Sequence, residues 1–171
     1  MIFAVDPGVK GGIVYGEPRH PDKVIAMPHP SDESEWLEIF RLLDHYNSPG
    51  TMAIIERTDP FYSASIEPHE LIATAKLQWA QGAWFVATMK MRTFRPLPVT
   101  WRKSVFGGAT AHRGNWKPNE LAMAAKEFPS LNWGQQKGYR GKPPKGDHWI
   151  YGQAAACCIW LYGEKLLLRG E

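Results

Sequence analysis

Three acidic residues stand where a carboxylate is either costly or chemically useful. Asp6 follows the apolar run IFAV and Glu56 follows the apolar run MAII, so each acid ends a segment typical of a buried strand. Asp147 opens a long helical segment directly after a basic loop. If the two strands are neighbours, the acids meet and repel one another, which raises their pKa values unless cations are bound. Such oxygen ligands favour Mg²⁺ or Mn²⁺, and two ions bridged by Asp6 could activate water for phosphodiester hydrolysis.

Each acid also has an ordinary structural interpretation. An Asp at the end of a strand commonly forms a turn, and an Asp at the start of a helix commonly caps it. Glu56 has Arg57 and Lys10 as candidate ion-pair partners, and the glycines after Asp6 also suit a phosphate-binding loop. The spacing alone therefore leaves a metal site, a phosphate loop and purely structural roles open.

Charge is distributed unevenly along the 171 residues, although the net charge is only +3. Residues 90–146 hold 12 Lys and Arg against 2 Asp and Glu, whereas residues 1–89 hold 6 against 12. A basic segment interleaved with Trp, Tyr and Gly favours a polyanionic partner, with a solvated basic surface as the alternative. The candidate contacts to such a polyanion are Lys90, Arg92, Arg95, Arg102, Lys103, Arg113, Lys117, Lys137, Arg140, Lys142 and Lys145.

Length and composition favour one soluble domain, spanning residues 1–171, with a core of its own. The hydrophobic content of 44% and charged content of 22% are ordinary for such a domain. No apolar run approaches the ~18 residues of a membrane span, and the N-terminus lacks a signal-peptide pattern. Cys157 and Cys158 are adjacent and cannot bridge the fold, so we expect reduced core residues. We therefore expect a cytoplasmic protein without a membrane partner.

The segments that must position the acids predict an α/β fold with a mixed sheet. Strands are predicted near residues 2–6, 11–17, 23–28, 51–57 and 92–99, the last confined to an edge or cut short by its prolines. Helices are predicted over residues 31–47, 68–89, 117–129 and 147–168, with a helical turn in TWRKSVFGG. A basic loop rich in Gly and Pro, residues 132–146, precedes the last helix.

Several motifs together resemble the RuvC family of Holliday-junction resolvases, within the RNase H-like superfamily, and its short phage-encoded type in particular. The quoted segments are AVDPGVKGGIVYG for the first hairpin, MAIIER for the fourth strand, RPLPVTWRKSVFG after the fifth strand and DHWIYGQAAACCIWLYG for the C-terminal helix. The resemblance covers nearly the whole chain. It implies an RNase H-like mixed five-stranded sheet flanked by helices, and a metal-dependent endodeoxyribonuclease that resolves four-way junctions by paired symmetric nicks.

The resemblance also implies the residues of the site. The implied ligands and catalytic residues for two Mg²⁺ or Mn²⁺ ions are Asp6, Glu56 and Asp147. The family has a fourth acid one or two turns into the last helix, but residues 148–163 contain neither Asp nor Glu. Gln153 is the nearest match and offers only a carbonyl oxygen. His148 is the other candidate, as a ligand or a proton carrier, and we favour it.

Further contacts are specific to a branched substrate. Phe61 and Tyr62, in the loop after the fourth strand, are candidates to wedge between unstacked bases, with anchoring of the loop to the core as the alternative. Lys103 and Lys117 are candidates to bind the scissile phosphate. A junction has twofold symmetry, so two matched nicks favour a homodimer through helix 68–89, unless that helix is buried on all sides within the monomer.

Three other functions stay open at this point. Another nuclease of the same fold, cutting RNA–DNA hybrids or flaps, would carry the same carboxylates. A junction-binding protein that has lost its chemistry with the fourth acid would bind the same DNA without cutting it. A nucleotide-binding ATPase of the actin and sugar-kinase type also opens with a strand, an Asp and a glycine-rich hairpin. That architecture needs roughly twice this length, so we expect no nucleotide cofactor.

Overall fold

Ten regular elements build the part of the chain that the computed structural model describes, namely residues 1–8, 10–28, 32–57, 68–107, 116–130 and 148–171. The strands are β1 (Ile2–Asp6), β2 (Gly12–Glu17), β3 (His20–Ala26), β4 (Met52–Ile55) and β5 (Arg92–Phe94). The helices are α1 (Glu33–Tyr46), α2 (Pro68–Ala87), α3 (Pro98–Phe106), α4 (Lys117–Glu127) and α5 (His148–Leu168). Within these ranges, no helix combines the length and apolar character needed to cross a membrane.

The five strands form one mixed sheet in the order β3-β2-β1-β4-β5. Strand β1 pairs antiparallel with β2 and parallel with β4, so the first strand of the chain lies at the centre of the sheet. The parallel register aligns Val5 with Ile55. The residues that follow this pair, Asp6 and Glu56, therefore lie on neighbouring chains at the same edge of the sheet. The predicted α/β class and mixed five-stranded sheet are confirmed.

Two hydrophobic clusters fill the two faces of the sheet. Ile2 and Ala4 of β1 pack with α3, α4 and α5, whereas Phe3 and Val5 pack with α1 and α2. This alternation follows from the two-residue period of a strand, and it explains why β1 is apolar at each of these positions. Because β1 is covered on both faces, its carboxyl end can hold an acid in a largely buried setting.

The first turns of α5 lie against the hairpin between β1 and β2. Gly11 forms an isolated parallel bridge with Gly152, and a Cβ at Gly152 would lie only 1.8 Å from the backbone oxygen of Lys10. Glycine is required at this crossing because any side chain would overlap the hairpin backbone. The glycines after Asp6 thus allow α5 to pack closely against the hairpin between β1 and β2.

Two predicted boundaries are wrong, and one prediction is confirmed. Strand β3 begins at His20 rather than near residue 23. Strand β5 lies at an edge of the sheet and is cut short at Phe94, as predicted, because the prolines that follow lack the N–H group that a strand ladder needs. Pro98 instead opens α3, a nine-residue helix where the sequence predicts only a helical turn, since proline suits the first turn of a helix.

Candidate active site

Asp6 ends the central strand at the point where the chain turns towards β2. Its Oδ1 accepts a hydrogen bond from the backbone N–H of Gly8 at 3.1 Å, which fixes one carboxylate oxygen in the turn. Burial raises the pKa of Asp6 to about 6, although the Gly8 hydrogen bond opposes this shift. Asp6 therefore forms the turn and also presents a carboxylate whose charge is poorly compensated.

Glu56 directly follows β4 and continues the pairing with β1, because its backbone N–H donates to the carbonyl of Val5 at 2.9 Å. Its side chain is buried, and Oε2 accepts a hydrogen bond from Nε1 of Trp101 at 2.7 Å. Burial, and then the charge of Asp6, raise the pKa of Glu56 to about 8 against the lowering effect of the Trp101 hydrogen bond. Trp101 is thus a partner of Glu56 that the sequence does not anticipate.

A third acid, Glu120 of α4, faces the same region and is missed by sequence reasoning. Glu120 is 2% exposed, and its Oε1 accepts a hydrogen bond from Nε of Arg102 at 2.8 Å. Burial raises the pKa of Glu120, and the charges of Arg102 and Lys117 oppose the rise. The available signal is spacing, since Glu120, Ala124 and Phe128 recur every four residues and all are buried.

A cleft of about 270 Å³ connects these groups. Its charged lining residues are Asp6, Glu56, Glu120, Lys10, Arg102 and Lys117. The early part of α5 also reaches the cleft at Tyr151 and Gly152. Carboxylates suited to a cation and basic side chains suited to phosphate therefore share one cavity.

The structure describes some of the predicted site residues and leaves others outside the described ranges. Those that lie outside the described residues are Asp147, Phe61, Tyr62, Arg113, Lys137, Arg140, Lys142 and Lys145. His148 is the first residue of α5, about one turn before Gly152. Gln153 is completely buried, and its Cα would be 2.7 Å from a Cβ placed on Gly12 of β2. Gln153 is not among the described residues that line the cleft, and its backbone lies against Gly12 of β2; its role as a metal ligand stays a prediction.

The predicted DNA contacts in the described part divide between the cleft and the surrounding surface. Arg102 and Lys117 line the cleft. Those exposed elsewhere are Lys90, Arg92 and Lys103. Arg95 is partly buried and donates to Oε1 of Gln81 at 3.2 Å. Adjacent residues on a helix point in directions about 100° apart, and Arg102 rather than Lys103 is the α3 cation directed at the carboxylates.

The buried carboxylates beside the cleft are donors that fit a divalent cation. No group of three or more His, Cys, Asp or Glu in the described ranges is arranged to hold a metal. Asp6 and Glu56 carry raised pKa values, which indicates that nearby cations do not fully offset burial and repulsion. Carboxylate oxygens whose charge is not fully offset by nearby cations suit Mg²⁺ or Mn²⁺. Asp147 directly precedes α5, whose early residues reach the same cleft.

Comparison with known proteins identifies the fold. No protein-family model and no curated protein matches the sequence. A structure of RuvC from Thermus thermophilus is similar with a TM-score of 0.51 and 16% identity, covering 96% of this chain and 95% of that chain. A second, RuvC of the same organism in complex with a Holliday junction substrate, gives a TM-score of 0.50, 15% identity and coverages of 96% and 94%. The chain therefore has the fold of these RuvC structures, a mixed five-stranded sheet flanked by helices.

Proposed function

We propose that the chain is a metal-dependent endonuclease that resolves four-way DNA junctions by paired, symmetric hydrolysis of phosphodiesters. The observation that carries the proposal is the buried, mutually repelling pair Asp6 and Glu56 in a cleft that Arg102 and Lys117 also line. Acids that hold a cation beside bases that hold phosphate are what this hydrolysis needs. The likeness in fold to RuvC, one structure of which contains a Holliday junction substrate, favours branched DNA as the substrate.

The side chains of the site have defined tasks in this proposal. The residues that would hold two Mg²⁺ or Mn²⁺ ions are Asp6, Glu56 and Asp147, with His148 or Gln153 as the fourth, and His148 is also the candidate proton carrier. When bound, a divalent cation supplies Lewis-acid stabilisation of charge on the phosphate. The Gly8 N–H and the Trp101 Nε1–H each fix one carboxylate oxygen, so both acids are oriented before any ligand arrives.

Phosphate contacts would dominate the affinity for the duplex arms, because each neutralised phosphate releases counterions. Arg102 and Lys117 are placed to meet the phosphate that is cut, since both line the cleft. The proposed contacts to the arms are Lys90, Arg92, Arg95, Lys103, Arg113, Lys137, Arg140, Lys142 and Lys145. Phe61 and Tyr62 remain the proposed wedge at the branch point.

The outer face of α2 supports the proposal of a twofold dimer. Exposed small or apolar residues recur there at alternating spacings of three and four, namely Ile72, Ala75, Trp79, Gly82 and Val86. This is the pattern of a coiled-coil seam, in which small residues leave room for a large one such as Trp79, 77% exposed here. The opposite face holds the buried Gln81 and Trp84, so the described part of α2 has one covered side and one uncovered side.

A denaturing-gel assay tests the proposed activity. The protein is incubated with a labelled four-way junction or a matched linear duplex, with Mg²⁺ or Mn²⁺. We expect symmetric nicks in the junction alone, lost in Asp6→Asn and retained in Asp22→Asn, which changes an exposed acid of β3 in the same way. Equal cutting of the duplex would indicate a general nuclease of this fold. Tight junction binding without cutting would indicate a binding protein.

Sedimentation tests the proposed dimer. Trp79→Glu places a charge in the seam and should convert the dimer to a monomer that nicks one strand at a time. Val99→Glu introduces the same negative charge at an exposed apolar position of α3, outside the seam, and should leave the dimer intact. A parent protein that sediments as a monomer, alone and on the junction, would contradict this part of the proposal.

A further inference from the structure

The ion pair between Arg102 and Glu120 joins two helices inside the cleft. Arg102 belongs to α3 and Glu120 to α4, and the Nε–Oε1 distance is 2.8 Å. The Glu120 side chain is 3% exposed and that of Arg102 is 24% exposed. A hydrogen bond between two charged groups in such a setting is among the stronger ones in proteins. The acid is thus a fixed, buried anchor, whereas the arginine still reaches the surface of the cleft.

Two tryptophans restrict the same guanidinium. The Arg102 Cζ lies 4.8 Å from the ring centre of Trp101 and 5.6 Å from that of Trp116. Trp101 is held by its hydrogen bond to Glu56, and Trp116 packs on Phe106 at 5.7 Å. Cation–π contacts of this kind add to the hydrogen bond and limit side-chain rotation. The arginine is therefore held in place on several sides.

The bond to Glu120 uses the inner nitrogen of the guanidinium. Arginine has five N–H groups, and four of them lie on the two terminal nitrogens. A planar fork of this kind matches the oxygens of a phosphate. Holding Arg102 through Nε therefore leaves the phosphate-binding end of the side chain for the cleft, beside Asp6 and Glu56.

We propose that Glu120 is a positioning residue that holds Arg102 through Nε, so that the terminal nitrogens of Arg102 bind the phosphate to be cut. This inference rests on the proposed function and assigns a role to an acid that the sequence motifs do not mark. Lys117 is exposed on α4, so Arg102 supplies the fixed phosphate contact and Lys117 a more adaptable one.

Two other roles for Glu120 fit the structure less well. A pair of buried charges is a costly way to stabilise a fold, because apolar side chains of similar size often do as well. A role as metal ligand is disfavoured because Oε1 of Glu120 is already bonded to Arg102. The position of Glu120 in the cleft is better explained by its hydrogen bond to Nε of Arg102, which holds the arginine in place.

Junction binding at increasing salt tests the proposal without requiring cleavage. The parent is compared with Glu120→Met, Glu120→Gln, Arg102→Ala and the double variant Glu120→Met/Arg102→Ala, in Ca²⁺ and over a range of KCl. Glu127→Met is the matched control, because Glu127 lies on the same helix in an exposed pair with Lys126. Thermal melting confirms that each variant is folded.

We expect Glu120→Met and Arg102→Ala each to lower the slope of log Kd against log salt by about 1, since each removes the same phosphate contact. The slope of the double variant should be no lower than the slope of either single variant. Glu120→Gln keeps an oxygen acceptor for Nε and should recover most of the slope, and Glu127→Met should match the parent. In single-turnover cleavage, Glu120→Met should be about 10- to 100-fold slower.

Other results would overturn the proposal. An unchanged or steeper slope in Glu120→Met would mean that Glu120 only neutralises Arg102, and additive losses in the double variant would mean that it acts independently. A fall in Mn²⁺ affinity of Glu120→Met, measured by calorimetry, would make it a metal ligand instead.

Two further readouts keep the test decisive. If Glu120→Met does not fold, guanidinium ion at about 20 mM should restore junction binding to Arg102→Ala, and failure to restore it would refute the proposal. A parent that binds the junction but never cuts it would refute the proposed function alone, because the slopes are measured on binding.

Discussion

Glu56 should make the metal-free protein less stable as the pH rises, and Glu56→Gln isolates this effect. In the unfolded chain the carboxyl ionises near pH 4.5, whereas in the folded protein burial and the charge of Asp6 raise its pKa to about 8. Between these values the folded state keeps a proton that the unfolded state has released. The free energy of unfolding therefore falls as the pH rises through this window.

The size of the effect follows from the two pKa values. One proton held only by the folded state corresponds to about 1.4 kcal/mol per pH unit. With values of 4.5 and about 8, Glu56 alone removes about 2.5 kcal/mol of stability between about pH 5.5 and about pH 7.5. Glutamine has nearly the same shape as glutamate and does not titrate. The pH-dependent difference in the free energy of unfolding between the two proteins therefore reports the ionisation of Glu56.

Urea unfolding in EDTA, followed by tryptophan fluorescence at several pH values, measures this difference. We expect the stability of Glu56→Gln relative to the parent to increase by about 2.5 kcal/mol between about pH 5.5 and about pH 7.5. Asp44→Asn, at an exposed acid of α1, should follow the parent. Mg²⁺ added near pH 7.5 should stabilise the parent more than the variant. Parallel stability curves for parent and Glu56→Gln would refute the reasoning.

Two further changes test the surroundings of the site. Trp101→Phe removes the N–H donor to Glu56, so Mg²⁺ affinity measured by calorimetry should fall about tenfold; unchanged affinity would mean that the indole does not orient the acid. Gly152→Ala places a Cβ 1.8 Å from the backbone oxygen of Lys10 and should cost more than about 2 kcal/mol in urea unfolding. Gly50→Ala, where the nearest neighbouring atom is 3.9 Å away, should change stability by less than about 0.5 kcal/mol, and similar losses at both glycines would contradict the tight crossing.

The features that the sequence predicts are those with strong local signals. Strands β1 and β4 are apolar at successive positions because both their faces are covered, and each is followed or ended by an acid. Asp32 caps α1 by accepting from the N–H of Glu35, as a residue of its type at that place suggests. Pairing these two strands in parallel then brings Asp6 and Glu56 together.

The features that the sequence does not predict depend on distant contacts. Glu120 is one of two acids in α4, and its role depends on Arg102, which lies on another helix. Gln153 matches the motif by position, but the rotation of α5 about its axis is set by where its glycines touch the sheet. A Cβ on Gly163 would lie 2.5 Å from Cδ1 of Ile54, so this face must pack on β4. Motif spacing carries no information about such rotation.

Helix α5 comes last of the described elements, yet it covers the strand that comes first. Its packing on Ile2 and Ala4 joins parts of the chain about 150 residues apart, an arrangement of high contact order that slows folding. At about 5–20 residues per second of synthesis, one face of the sheet stays uncovered for roughly 10–30 seconds on the ribosome. A nascent or prematurely ended chain lacks the wall of the cleft that α5 supplies. The proposed nuclease activity would therefore require that α5 has been made and packed on the sheet.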